Sequence, residues 1–171
     1  MITVCFHGVE STGKSVLAAK LADDLGVPWV AEYGRTYCEE HGTDLSMADL
    51  LAIAEGQAAE VTRARAGNPP LLILDTDQLM TAAWAQMLFG EVPPVLLAYP
   101  KADLYLRFAP DVPWVDDGTR FFGDRQSRTR FAGLADAMLD RAVVPVRRVA
   151  GSWAERERAA RAAIAELLPK A

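Results

Sequence analysis

The chain Gly8-Val9-Glu10-Ser11-Thr12-Gly13-Lys14-Ser15 spells GxxxxGK[ST], and each residue type in it suits an anionic chain of phosphates. Glycines at Gly8 and Gly13 allow tight bends and close backbone approach. Backbone N–H groups of Glu10, Ser11, Thr12 and Gly13, with those opening a following helix at Lys14, Ser15 and Val16, surround phosphate oxygens. Lys14 sets a positive charge on the β/γ-phosphates from a solvated loop, and Ser15 offers a hydroxyl to Mg²⁺. The same pattern in isolation is also met as a capped glycine-rich turn. What separates the two is context, a strand before the loop and a helix after it.

Carboxylates recur where such chemistry needs them. Leu71-Leu72-Ile73-Leu74 is wholly apolar and ends on Asp75, placed to hold Mg²⁺ or to act as base. Asp77 follows two residues on and faces either the acceptor or the amides of a helix starting at Gln78, as its N-cap. Glu32-Tyr33-Gly34-Arg35 follows a second short strand. There Glu32 can orient or deprotonate an attacking hydroxyl and Arg35 can touch a phosphate, or the two form a surface ion pair. Arg120, Arg125, Arg128 and Arg130 fall in a stretch with Pro113, Gly118 and Gly123, read as a lid over about residues 111–130. Arginines closing over a transferred phosphoryl group stabilise its spread charge, with Arg120 and Arg125 first and Arg128 toward the nucleotide. Trp29, Tyr33, Trp84 and Trp114 sit near element ends on the cleft side, each either stacking on a flat base or packing. His7 reads as a hydrogen-bonded core residue, and His41 gets no role.

The elements that position these groups alternate. Strands are expected at Ile2–Phe6, Pro28–Ala31, Leu71–Leu74, Asp103–Phe108 and Val143–Val149. Helices are expected at Lys14–Leu25, Met47–Ala66 (capped by Ser46), Met80–Phe89, Phe131–Arg141 and Trp153–Leu168. Strand-helix alternation implies an α/β fold, a parallel sheet with helices on both faces. At 171 residues the chain has the size of a single domain.

Composition narrows the classes. With 18 basic against 23 acidic residues the net charge is −5, which argues against a general nucleic-acid binder. Residues 1–100 hold 5 basic and 13 acidic groups and residues 101–171 hold 13 and 10, so anions met by side chains belong to the second part. Only Cys5 and Cys38 occur, without CxxC spacing, and only two histidines, so neither a disulfide nor a His/Cys metal site is expected. No secretory leader and no ~18-residue apolar run is present, so the expected location is cytoplasmic, with no membrane partner.

Taken together, Gly8–Ser15, Pro28-Trp-Val-Ala-Glu-Tyr-Gly-Arg35, Asp75-Thr-Asp77 with Thr81 and Trp84, and Pro113-Trp-Val-Asp-Asp-Gly118 with Arg120 resemble one family. It is the ribosylnicotinamide kinase domain of the bacterial bifunctional NAD-biosynthesis proteins, and the likeness runs over about residues 1–168. The resemblance implies a P-loop kinase fold with a parallel five-stranded sheet, ATP and Mg²⁺ as cofactors, and a small-molecule nucleoside as partner. It implies phosphorylation of the 5′-hydroxyl of nicotinamide riboside, with Lys14 and Ser15 on phosphate and metal. Asp75, Asp77, Glu32 and Arg35 would form the acceptor-side cluster, Asp116 and Asp117 the acidic pair before the lid, and Arg120 the lid arginine. Two departures stand out. The family's adenylyltransferase domain does not precede the first strand, so adenylylation is expected to fall to another protein. Ala31 stands where some members carry a ring, and Ala58, Ala59 and Glu60 follow Gln57 where another ring can occur. The alternatives are therefore a kinase for another nucleoside or small metabolite, and an ATP-binding switch.

Overall fold

The computed structural model describes residues 1–112 and 124–168. Five strands form one sheet in the order β2-β3-β1-β4-β5. They are β1 (Ile2–His7), β2 (Trp29–Val30), β3 (Leu71–Asp75), β4 (Leu104–Phe108) and β5 (Val146–Val149), and every pairing is parallel. The helices are α1 (Lys14–Leu25), α2 (Tyr33–His41), α3 (Met47–Arg65), α4 (Gln78–Phe89), α5 (Pro94–Ala98), α6 (Arg125–Ala142) and α7 (Trp153–Leu167).

The central strands are mostly apolar because both faces are covered. Alternate side chains point to opposite faces. Val4, Phe6, Leu71, Ile73, Leu104 and Leu106 pack with Leu17 and Leu21 of α1 and Ala160 and Ile164 of α7. Cys5, Leu72, Leu74 and Tyr105 pack on the other face with Ile53 of α3, Leu79 of α4 and Phe131 of α6. This is the α/β architecture with helices on both sides that the sequence pattern implies.

Four local expectations need correcting. Residues 125–130 are not part of a loop. The Asp124 side chain accepts from Ser127 N and starts α6 at Arg125, so Arg125, Arg128 and Arg130 stand on a helix. The start is hard to see in sequence because the first turns carry only polar side chains before Phe131. Helix α2 was not expected; none of its residues is fully buried, and its inner face is the partly buried pair Tyr33 and Tyr37. Helix α5 is five residues long, opened by Pro94, too short for a periodic signal. Strand β5 starts at Val146 rather than Val143, because Val143 is the left-handed cap of α6 with φ 52°.

Candidate active site

Register brings the chemistry together. Phe6 of β1 pairs with Asp75 of β3, so the two strands end side by side. The loop leaving β1 and the carboxylate ending β3 therefore share one edge of the sheet, where ligands of open α/β sheets bind. Gly8 (φ +147°) and Gly13 (φ +79°) hold conformations that L side chains rarely adopt. A Cβ on Gly13 would stand 2.9 Å from the Trp153 ring, and one on Gly8 2.8 Å from the Phe108 carbonyl oxygen. Thr12 Oγ1 closes the loop on Val9 O at 2.9 Å.

Lys14 is not in a solvated loop. It is 6% exposed, with Nζ 3.6 Å from Glu32 Oε2 and 3.7 Å from Asp75 Oδ1. Burial alone would lower its pKa, but Glu32, Asp75 and Glu10 outweigh burial and hold the ammonium above the ordinary lysine value. Glu32 is free to face Lys14 because, at the start of α2, its side chain makes no capping bond. Asp75 is 2% exposed and its Oδ1 accepts no hydrogen bond.

Thr76 turns the chain after Asp75 with φ +73°, a strained backbone for a β-branched residue. Its N–H is held by Phe6 O at 3.0 Å, which fixes the turn. Asp77 has different partners from Asp75. Its Oδ1 accepts from Leu79 N at 3.0 Å, capping α4, and its Oδ2 accepts the Tyr105 hydroxyl. Burial raises the Asp77 pKa above the usual carboxylate range, against these two hydrogen bonds. Asp77 is thus both the helix cap and a wall of the cleft.

The cleft is concave and partly open to solvent, lined by apolar side chains with a few convergent polar groups, as small-molecule sites are. Its polar side carries Glu10, Glu32, Arg35, Thr76, Asp77 and Thr81. Its apolar side is built by Leu45, Leu50, Ile53, Met80 and Trp84, with Cys38 at the border. Trp84 is backed by Phe131 of α6, ring centroids 4.3 Å apart. Gln57 joins the two parts: its Oε1 accepts from Tyr33 N at 2.8 Å and its Nε2 donates to Thr76 O at 3.5 Å.

Not every candidate arrives there. Trp29 and Tyr33 border a separate groove beside the edge strand β2, with Thr36 and Arg63, rather than this cleft. The cause is packing: the Tyr33 ring lies against Gly56 of α3, and Trp29 is on the outermost strand. Arg125 and Arg130 are exposed on α6. Arg128 reaches inward and donates to Val112 O at 3.1 Å and Glu10 O at 3.4 Å, so its guanidinium lies on loop backbone. Trp114, Asp116, Asp117 and Arg120 lie outside the described residues. His7 is fully buried with Nε2 3.0 Å from Ala135 O, a core residue as expected. Cys5 and Cys38 are free thiols, and no described helix is long and apolar enough to cross a membrane.

No group of three or more His, Cys, Asp or Glu among the described residues is arranged to hold a metal. That suits Mg²⁺, which keeps its waters and takes one or two protein oxygens plus substrate phosphates. Ser15, in the first turn of α1, and Asp75, with its Oδ1 lacking a hydrogen-bond donor, are two hard oxygen donors that could hold it.

Sequence reasoning missed Tyr105, Gln57, Trp153 and Arg156. For Arg156 a signal existed. It is in helical register with Ala160, Ala163 and Ile164, the buried stripe of α7, so an arginine stood at a core-facing position.

Comparison with known proteins agrees with this geometry. The chain is 34% identical over 145 residues to the trifunctional NAD biosynthesis/regulator protein NadR of Escherichia coli (strain K12), covering 81% of this chain and 35% of that protein. It thus spans about a third of the curated relative's length. A crystal structure of NadR protein in complex with NR superposes with a TM-score of 0.78 at 26% identity, over 95% of this chain and 50% of the other. One of NadR protein in complex with NAD and AMP-PNP gives 0.76 at 26% identity, over 96% and 49%. Residues 3–156 match the family described as AAA domain. With the loop at the end of the central strand and the acidic strand beside it, the chain belongs to this family of P-loop proteins.

Proposed function

We propose that the protein is an ATP- and Mg²⁺-dependent kinase that transfers a phosphoryl group to the 5′-hydroxyl of nicotinamide riboside. The observation that carries this reading is the junction at Lys14. Its ammonium stands between Asp75, beside the phosphate loop, and Glu32, on the wall of the roofed cleft. A donor phosphate on the loop and a hydroxyl in the cleft would meet there, and phosphoryl transfer depends mostly on such positioning and on charge stabilisation. The matched NadR structures, one with NR and one with AMP-PNP, an ATP analogue, support both halves of the assignment.

The roles follow from what each side chain touches. Loop amides and Lys14 bind the donor phosphates. Ser15 and Asp75 would hold Mg²⁺, which when bound offsets phosphate charge. Asp77 is tied to Leu79 N and Tyr105, whereas Glu32 makes no capping bond and stands between the cleft and Lys14, so Glu32 is assigned to orient the acceptor hydroxyl and take its proton. Trp84 offers a flat face to the base.

One observation favours a second reading, another nucleoside as acceptor. Of the described residues lining the cleft, Trp84 alone carries an aromatic ring. A single panel separates the two: purified protein, Mg-ATP, and nicotinamide riboside beside the common ribo- and deoxyribonucleosides. The expected product is nicotinamide mononucleotide, formed fastest of all. Faster transfer to another nucleoside selects the second reading, and transfer to none refutes both.

A further inference from the structure

We propose that Arg156 of α7 is a positioning residue that sets the phosphate-binding loop from behind. It is 1% exposed, among the most deeply buried charged residues described. Its Nε donates to Gly151 O at 2.9 Å, its Nη1 to Thr12 O at 3.3 Å and its Nη2 to Ala109 O at 3.1 Å. Nη2 also pairs with Asp111, whose other oxygen accepts from Gly151 N at 2.8 Å. The guanidinium lies 6.0 Å from the Phe108 ring centroid. One side chain therefore ties together the loop after β1, the segment after β4 and the turn before α7.

A buried cation is tolerated only when its donors are matched, and apolar side chains of the same volume often serve packing better. The arginine's distinctive product is the direction of a peptide plane. In a trans peptide the C=O and the next N–H point opposite ways, and the described chain has no cis bonds. Holding Thr12 O toward α7 therefore turns the Gly13 N–H to the other side, into the loop's concavity. The same device acts twice more. Arg128 holds Glu10 O and thereby aims the Ser11 N–H, and Thr12 Oγ1 holds Val9 O and thereby aims the Glu10 N–H. Arg156 differs in that it comes from α7, 144 residues from its loop partner, and couples the loop to Asp111 at the edge of the lid stretch.

The assignment rests on the loop binding a nucleoside phosphate, and not on which acceptor is used. Its test is ADP binding by calorimetry, which needs no acceptor, together with separate KM values for ATP and nicotinamide riboside. In Arg156→Gln, the neutral side chain cannot span the carbonyls. ADP should bind at least ~10-fold more weakly, as expected for losing a hydrogen bond made by a charged group. KM for ATP should rise in parallel, while KM for nicotinamide riboside stays within about twofold. Both are measured well below the variant's melting temperature, so a merely structural role would lower the active fraction and leave these constants unmoved. A folded Arg156→Gln with wild-type ADP affinity, or one losing affinity for ADP and acceptor alike, overturns the proposal. Should that variant not fold, Arg156→Lys carries the test on the same criteria, because an ammonium keeps the charge but cannot reach all three carbonyls. Failure of the wild type to bind ADP would instead refute the nucleotide reading, and the Arg156 assignment with it.

Discussion

Replacing His7 should flatten the acid side of the stability profile. His7 ends β1, directly before the loop, and is fully buried against Ala135 of α6. Ala135 O can only accept, so Nε2 carries the proton and Nδ1 is bare. Nδ1 has no hydrogen-bond partner, so a second proton there would be an unsolvated charge. Burial accordingly lowers the His7 pKa from 6.5 to about 4, against the pull of the Ala135 carbonyl and Asp136, with Lys14 and Arg107 adding to the depression. Below pH 6.5 the unfolded chain binds a proton that the folded chain refuses until about pH 4. Stability must then fall with pH through that window, and His7 contributes no slope above it. At 1.36 kcal/mol per pKa unit, the whole gap is worth about 3 kcal/mol, of which about 2 kcal/mol is lost between pH 7 and pH 5. The assay is urea unfolding at both pH values, followed by tryptophan fluorescence, for the wild type and for His7→Gln. The variant is expected to be less stable at pH 7 but to lose about 2 kcal/mol less than the wild type on acidification. Carboxylates contribute equally to both chains and cancel in the difference. Equal losses in the two proteins would refute the reasoning.

Lys14→Met should cut transfer by at least ~100-fold, as for loss of a charge-stabilising donor. It should also destabilise the fold by about 3 kcal/mol, because Asp75 is left buried without its cation; a variant as stable as wild type in urea would contradict the buried pairing. Asp75→Asn should abolish Mg²⁺-dependent turnover, and a Mg²⁺ titration with unchanged rate and midpoint would count against its metal role. Trp84→Leu keeps the apolar filling but removes the flat ring. It should raise the acceptor KM about 10-fold, in line with the worth of base stacking on an aromatic ring, while the ATP KM stays put; equal acceptor KM values would remove Trp84 from the binding wall.

What could be read from the sequence is what depends on neighbours along the chain. Strands β1 and β3 announce themselves because a strand buried on both faces reads as a nearly continuous apolar run, and Asp75 stands out by ending such a run. The loop announces itself because phosphate needs amides, two glycines and a lysine at fixed spacing. Less legible are features decided by distant partners. Burial of Lys14 depends on Glu32 and Asp75 converging on it. The position of Tyr33 depends on Gly56 leaving room on α3, and of Trp29 on β2 being the edge strand. Helix α2 is nine residues long and turns only Tyr33 and Tyr37 toward the core, a short signal among polar residues. Helix α6 begins on a cap at Asp124 and polar turns, which composition alone reads as loop. Arg156 bridges loops that lie far apart in sequence.

The strand order also governs when the molecule becomes competent. Strand β1 is made before the other four strands but sits in the middle of the sheet, where Ile2 must find Leu71 and Val4 must find Leu104. Such long-range parallel pairings are slow to form, because the intervening chain must close before any contact rewards it. At roughly 5–20 residues per second, synthesis of the stretch separating β1 from β4 takes on the order of 5–20 s. Through that interval the loop lacks its neighbouring strands, and its full set of braces waits for Arg128 of α6 and Arg156 of α7. If the loop binds nucleotide as proposed, nucleotide favours chains in which α7 has docked, so a loop made before most of its supports is among the last parts to acquire its working shape.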